Sequence, residues 1–369
     1  MSTATIPTAT AFDALSQAGV SLWLDDLSRD RLESGSLAHD IEARDLAGVT
    51  TNPSIFAASV SDGDAYDAQI ADLATRKVSV EEAVRMITTA DVRSACDAFA
   101  LVHHATRGQD GRVSLEVDPR LARDTDATIA EARQLWWLVD RPNLMIKIPA
   151  TVEGLPAIRK AISEGISVNV TLIFSLERYR QVVDAYLSGL EDALAAGRDI
   201  ASIRSVASFF ISRVDAEVDG RLAADSPLRG KAAVANAALA LEHHHEVLDS
   251  DRFRALAEHG AHPQRPLWAS TSTKDPSYPD TKYVDELVTA GVVNTLPQKT
   301  LDALEDHGES TRDDTMVGTF QEARSVMSGL AQAGVDMAEV TDLLERQGVD
   351  KFADAWEELL SHVEGAMSR

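Results

Sequence analysis

The chain has a single cysteine, Cys96, which excludes an intramolecular disulfide and fits a reducing compartment. Basic residues are scarce: 35 Lys and Arg stand against 59 Asp and Glu, a formal net charge of −24. That balance argues against nucleic acid or anionic membrane as a partner, since both need clustered Lys and Arg. It also means that a phosphate-bearing ligand has to be met by a local cationic pocket inside an unfavourable global field. No apolar run approaches the roughly 18 residues of a membrane span. The opening residues, MSTATIPTATAF, hold neither the basic stretch nor the apolar segment of a secretory signal, so the expected compartment is the cytoplasm. The sequence shows no internal repeat, linker or low-complexity segment, and residues 1–7 are expected to be loose.

What remains is an ordinary globular composition, 44% apolar and 25% charged, in 369 residues. Length alone admits two or three domains or one α/β barrel with insertions. Short β-rich runs alternate with long helical patterns. Strands are expected at 21–25, 47–52, 112–118, 143–149, 166–174, 203–212, 265–271 and 290–297. Alternation of this kind predicts parallel βα units, and eight of them predict a (β/α)8 TIM barrel. Ser79 with Glu82 three residues on reads as a capping box opening a helix that reaches about residue 106. Further helices are expected at 124–139, 176–196 and 230–248, with two or three over 217–262. From residue 317 the pattern is helical, a late layer that can lie across one barrel mouth. The reading is therefore one barrel domain over 1–369, with additional helices at 217–262 and 317–369, including a helical C-terminal tail.

In such a barrel the reacting groups come from the C-terminal ends of several strands. Those ends carry Asp25 and Asp26; Thr50, Thr51 and Asn52; Ser114, Glu116 and Asp118; Lys147; Asn169 and Thr171; Ser205, Ser208 and, just beyond, Arg213; Ser270 to Lys274; and Asn294 and Thr295. Lys147 sits in NLMIKIPAT among Leu144, Met145, Ile146 and Ile148. Burial disfavours the charged form of an amine, and a free amine adds to carbonyls, which is the route to a Schiff base. Glu116 and Asp25 are placed to move protons beside it. The competing reading is structural: Lys147 pairs with Glu116 across neighbouring strands.

Other candidates carry less. Alternation sends Asp25 and Asp26 to opposite faces, so one of them looks into the barrel, and Asp118 is expected to orient a loop. His243, His244 and His245 splay over about 200° of a helix and cannot converge on one metal ion; they are expected on a solvated face. Cys96 is expected in the core. Trp136 and Trp137 are packing anchors, or one of them a dimer contact.

Two stretches, GVTTNPSIF at 48–56 and LMIKIPATVEGLPAI at 144–158, with SLEVD between them and VNVTLIFS and ASFFISR after them, resemble the signatures of transaldolases. The resemblance runs from about Trp23 to Pro297. It implies a (β/α)8 class I aldolase fold in the cytoplasm, acting on sugar phosphates with neither metal nor organic cofactor, as monomer or homodimer. It implies Lys147 as the Schiff-base lysine, Glu116 as proton shuttle through a water positioned by Thr171, and Asp25 as the base at the C4 hydroxyl. Asn52, Ser114, Asn169 and Ser208 are implied to hold the hydroxyls of a dihydroxyacetone unit. Arg213 matches a phosphate arginine. The best-known branch has a second arginine two residues after the serine matched by Ser270; here Ser272 stands there, and Lys274 is the nearest cation, expected to take over with Ser270. Two alternatives stay open: an aldolase of the same superfamily that releases dihydroxyacetone, and a catalytically silent barrel acting as a scaffold.

Overall fold

The computed structural model describes residues 9–368; the loose start expected over residues 1–7 lies outside the described residues. Eight strands form one closed barrel: β1 (Ser21–Leu24), β2 (Gly48–Val49), β3 (Arg112–Glu116), β4 (Leu144–Pro149), β5 (Val168–Ile173), β6 (Ser205–Phe210), β7 (Arg265–Ala269) and β8 (Val293–Leu296). Each pairs in parallel with the next, and β8 returns to β1 through the register Trp23↔Thr295. Every strand is buried along its length, as a parallel sheet wrapped in helices requires. The outward residues, Ile146, Ile148, Val168 and Val170 among them, join the large core beneath the helices.

The strands lie where the alternation predicts but are shorter. β2 shows why. A Cβ on Gly48 would fall 2.6 Å from Trp23 Cε2 and 2.7 Å from the Arg112 carbonyl, so only glycine lets β1, β2 and β3 close here. Two residues later the chain leaves the sheet, because the Asn52 side chain accepts the Ile55 N–H at 3.1 Å and starts the helix Pro53–Ser61. The opposite, N-terminal end of the barrel is closed by a buried polar knot. Arg265 Nη1 donates to Asp110 Oδ1 at 2.8 Å and Nη2 to Ser21 Oγ at 2.6 Å, while Ser21 donates to Asp110 Oδ2 at 3.0 Å.

The helices depart from expectation in three places. Ser79 accepts the Glu82 N–H at 3.2 Å, but the Glu82 carboxylate turns to Arg85 at 2.6 Å, so only half of the capping box forms. The helix it opens ends at Ala98, and a short one, Ala100–Ala105, follows a turn at the fully buried Phe99. Over 217–262 the chain forms Ser212–Arg221, Ala232–Leu248 and Asp251–Ala257, the first starting straight from β6. His244 is buried within Ala232–Leu248 and its two neighbours are half-buried, so the expected solvated face is instead packed. Trp137 is exposed and Trp136 packs on the core. The tail consists of Phe320–Gln332 and Met337–Met367. The second of these lies against Pro53–Ser61, Asp67–Thr75, Val80–Ala98, Ser212–Arg221 and β5, which places it over the C-terminal mouth of the barrel.

Candidate active site

Parallel register builds the centre of the site from the sequence outward. Glu116 on β3 stands beside Lys147 on β4, and Lys147 beside Asn169 on β5. Lys147 is buried; its Nζ donates to the Thr51 carbonyl at 2.8 Å and lies 3.8 Å from Glu116 Oε2. That separation is an ion-pair distance, too long for a hydrogen bond. Neither Glu116 oxygen has a hydrogen-bond partner among the described residues, and neither does Thr171 Oγ1. Burial pushes the Glu116 carboxyl up to about 7, against the opposing pull of Lys147, with Asp25 adding to the rise. A carboxyl of this kind both gives and takes a proton near neutrality.

Asp25 follows β1 and accepts from Thr50 Oγ1 at 2.7 Å; Thr50 in turn lies 2.7 Å from Thr295 Oγ1 on the other side. Burial raises the Asp25 pKa, while Lys147 and the Thr50 hydroxyl hold it down. Asp26 points away, to Arg31 at 2.9 Å. Asp118 caps the turn Pro119–Leu121 and holds Arg120 at 2.7 Å, outside the cavity.

A cavity of about 180 Å³ opens above Lys147, lined also by Asp25, Thr50, Asn52, Thr171, Ser208, Phe210, Arg213, Ser270, Ser272, Lys274, Thr295 and Phe352. The barrel thus brings together most of the residues singled out from sequence. Glu116, Ser114 and Asn169 do not line the cavity; Glu116 adjoins it only beside Lys147. Asn169 Nδ2 donates to Ser114 Oγ at 3.0 Å and its Oδ1 accepts from Ser208 at 2.7 Å, so the two form a buried chain under the cavity floor and reach it only through Ser208. Asn52 spends its carbonyl on the helix cap, which leaves its amide for the cavity.

The far wall is cationic. Arg213 sits in the first turn of Ser212–Arg221, its guanidinium 5.3 Å from the Phe210 ring centre, with no carboxylate within 4.0 Å among the described residues. Burial lowers its pKa. Lys274 donates to Ser272 at 2.9 Å from the exposed rim; partial desolvation and then the Arg213 charge lower its pKa. Ser270, in the left-handed region at φ 55°, lies 3.1 Å from Ser212 Oγ. Two cations and two hydroxyls converge where an anion would be held, in a chain of strongly negative charge. Sequence reasoning placed Thr50 and Thr295 among the strand-end polar residues at the mouth but gave them no role, and it missed Phe210 and Phe352 as cavity walls; Phe352 comes from a helix whose docking no local pattern reports.

Among the described residues no group of three or more His, Cys, Asp or Glu is placed to hold a metal ion.

Fold and site together define a (β/α)8 barrel enzyme with a buried lysine–carboxylate pair beside a polar cavity at its C-terminal mouth. The model of the Transaldolase/Fructose-6-phosphate aldolase family matches residues 22–363. The transaldolase of Thermobifida fusca is 62% identical over 354 residues, covering 95% of this chain and 96% of that protein. Transaldolase 1 of Streptomyces coelicolor is 60% identical over 361 residues (96% and 94%), and the transaldolase of Saccharopolyspora erythraea 59% over 354 (95% and 96%). The chain belongs to the transaldolase/fructose-6-phosphate aldolase family.

Proposed function

We propose the following course for the reaction of this enzyme. It is a transaldolase, moving a dihydroxyacetone unit from sedoheptulose 7-phosphate to glyceraldehyde 3-phosphate within the non-oxidative pentose phosphate pathway. The Lys147 amine adds to the C2 carbonyl of the donor. Glu116 protonates the carbinolamine hydroxyl, which leaves as water, and the protonated imine results; Thr171 holds that water against the carboxylate. The imine is the electron sink. Asp25 takes the proton of the C4 hydroxyl, the C3–C4 bond breaks, and erythrose 4-phosphate departs. The enamine carbon then bonds to the aldehyde carbon of glyceraldehyde 3-phosphate, Asp25 returns its proton to the new hydroxyl, and hydrolysis of the imine frees fructose 6-phosphate. Each proton-transfer group contributes roughly 10²- to 10⁴-fold.

Asn52 and Ser208 grip the hydroxyls of the three-carbon unit, with Asn169 and Ser114 fixing Ser208 from below. Arg213, Ser270 and Lys274 take the phosphate, Lys274 as a point charge. The enzyme works in the cytoplasm, a setting that its lone, buried and unpaired cysteine suits. The observation that carries the reading is the buried Lys147–Glu116 pair at the foot of a cavity whose other end is cationic.

The family's description covers an aldolase as well as a transferase, and an acceptor separates the two. With fructose 6-phosphate as donor, consumption that depends on added acceptor aldose, with little free dihydroxyacetone, supports transfer. Equal consumption without acceptor, releasing dihydroxyacetone, replaces this reading with the aldolase.

A further inference from the structure

The C-terminal helix Met337–Met367 buries a stripe with a step of four residues: Leu344, Gly348, Phe352 and Trp356. Phe352 is 6% exposed, lines the cavity with Lys147, and holds its ring centre 5.7 Å from Nζ. It has no proton to exchange and no polar atom to offer. What it supplies at that position is cover.

Its placement is built. One turn earlier, a Cβ on Gly348 would fall 2.9 Å from Leu172 Cδ2, so glycine brings the helix down onto β5. Leu172 adopts φ 62°, in the left-handed region, where the β5–β6 register shifts between Val170 and Ile173. Such a conformation costs a leucine energy and persists only where its surroundings enforce it. Leu172 adjoins Thr171, which lines the same cavity. Ion pairs fasten the helix on both sides of Phe352: Arg178 to Glu345 at 3.2 Å and Arg120 to Glu357 at 3.0 Å.

We propose that Phe352 is a specificity-determining residue that decides the fate of the three-carbon unit. Resting on the Schiff-base reading above, it keeps bulk water from the enamine carbon, leaving in place the one water that the reading sets at Thr171 for hydrolysis, so that the unit passes to an aldehyde and is not released. When the cover is lost, the enamine carbon takes a proton instead of bonding to the acceptor. The resulting protonated imine adds one water, the C–N bond breaks, and free dihydroxyacetone and the Lys147 amine are formed, with the proton returned to solvent. Excluding water from a reactive intermediate is a recognised function of a closed site.

The test compares wild type, Phe352→Ala and Phe352→Leu with fructose 6-phosphate. It measures dihydroxyacetone released without acceptor against transfer with an acceptor aldose, and traps the lysine adduct with borohydride. Phe352→Ala is expected to raise the release-to-transfer ratio at least about tenfold while the adduct at Lys147 still forms. Phe352→Leu, which keeps an apolar cover and perturbs packing least, is expected to fall between the two. An unchanged ratio overturns the proposal, and if the alanine variant does not fold, the leucine ratio decides alone. Absence of an adduct in wild type overturns the Schiff-base reading itself, and the role of Phe352 with it.

Discussion

At the scale of one residue, Glu116 is the group to which the proposed proton transfers of imine formation fall. Its oxygens are buried without partners among the described residues, and burial brings its carboxyl to about 7. The pH profile of kcat/KM is therefore expected to show an ionisation near pH 7. Glu116→Gln should remove that ionisation and lower kcat by roughly 10²- to 10⁴-fold; a wild-type profile flat across about pH 6 to 8 speaks against the role. The phosphate end offers a second test. Lys274→Ala is expected to raise KM for fructose 6-phosphate about tenfold, in line with the strength of a charge-assisted hydrogen bond. Arg213→Ala should raise it further because the arginine is the more buried of the two. An unchanged KM in Lys274→Ala removes that residue from the phosphate site. Residues of this kind were legible in the sequence for one physical reason. Inside a strand buried on both faces, a Lys or Glu has no business except with another polar group, so Lys147 and Glu116 announced themselves. Ser114 and Asn169 announced themselves equally, yet they satisfy each other beneath the cavity. Burial and polarity are visible in a sequence; the depth of a side chain along the barrel axis is not.

Among the elements, the C-terminal helix adds Phe352 to the cavity wall. Its helical character was legible in the sequence, but its seat depends on a long-range fit between Gly348 and Leu172, which have no sequence neighbours in common. Gly348→Ala sets a Cβ 2.9 Å from Leu172 Cδ2; overpacking costs about 1–3 kcal/mol against about 1 kcal/mol gained in helix propensity, so a net loss of up to about 2 kcal/mol is expected, with lower transfer activity and melting temperature. A variant with the wild-type melting temperature and activity would show that the helix is not seated through this contact. The bulge at Leu172 was equally hidden, because leucine carries no preference for a positive φ. By contrast, the shortness of β2 has a local signature in Gly48 followed by an asparagine–proline helix start at Asn52 and Pro53.

At the scale of the whole molecule, eight alternating strand and helix patterns made the barrel legible, since parallel strands need long crossover connections, usually helical. The histidine cluster was misjudged because a helix's own sequence does not show which of its faces are covered: His243 packs on Tyr179 and His245 on Phe320. Its burial has a measurable consequence. Burial lowers the His244 pKa to about 4, whereas an unfolded histidine titrates near 6.5. Between those values the unfolded chain holds the extra proton, so this residue's contribution is intact above about 6.5 and is lost as pH falls towards 4, at up to about 1.4 kcal/mol per pH unit. Asp215, raised to about 6 by burial, and Glu116 act in the opposite sense, so the test is the difference between wild type and His244→Gln. That difference is expected to shift towards the variant as pH drops from about 6.5 to 4, and a constant difference contradicts it. The claim on which the whole reading depends is covalent: the Lys147 amine bonds to the keto carbon of a sugar phosphate. Its most direct measurement is borohydride reduction in the presence of fructose 6-phosphate, followed by peptide mass mapping. The account predicts a reduced three-carbon adduct on the peptide bearing Lys147; an unmodified chain, or an adduct confined to another lysine, contradicts it.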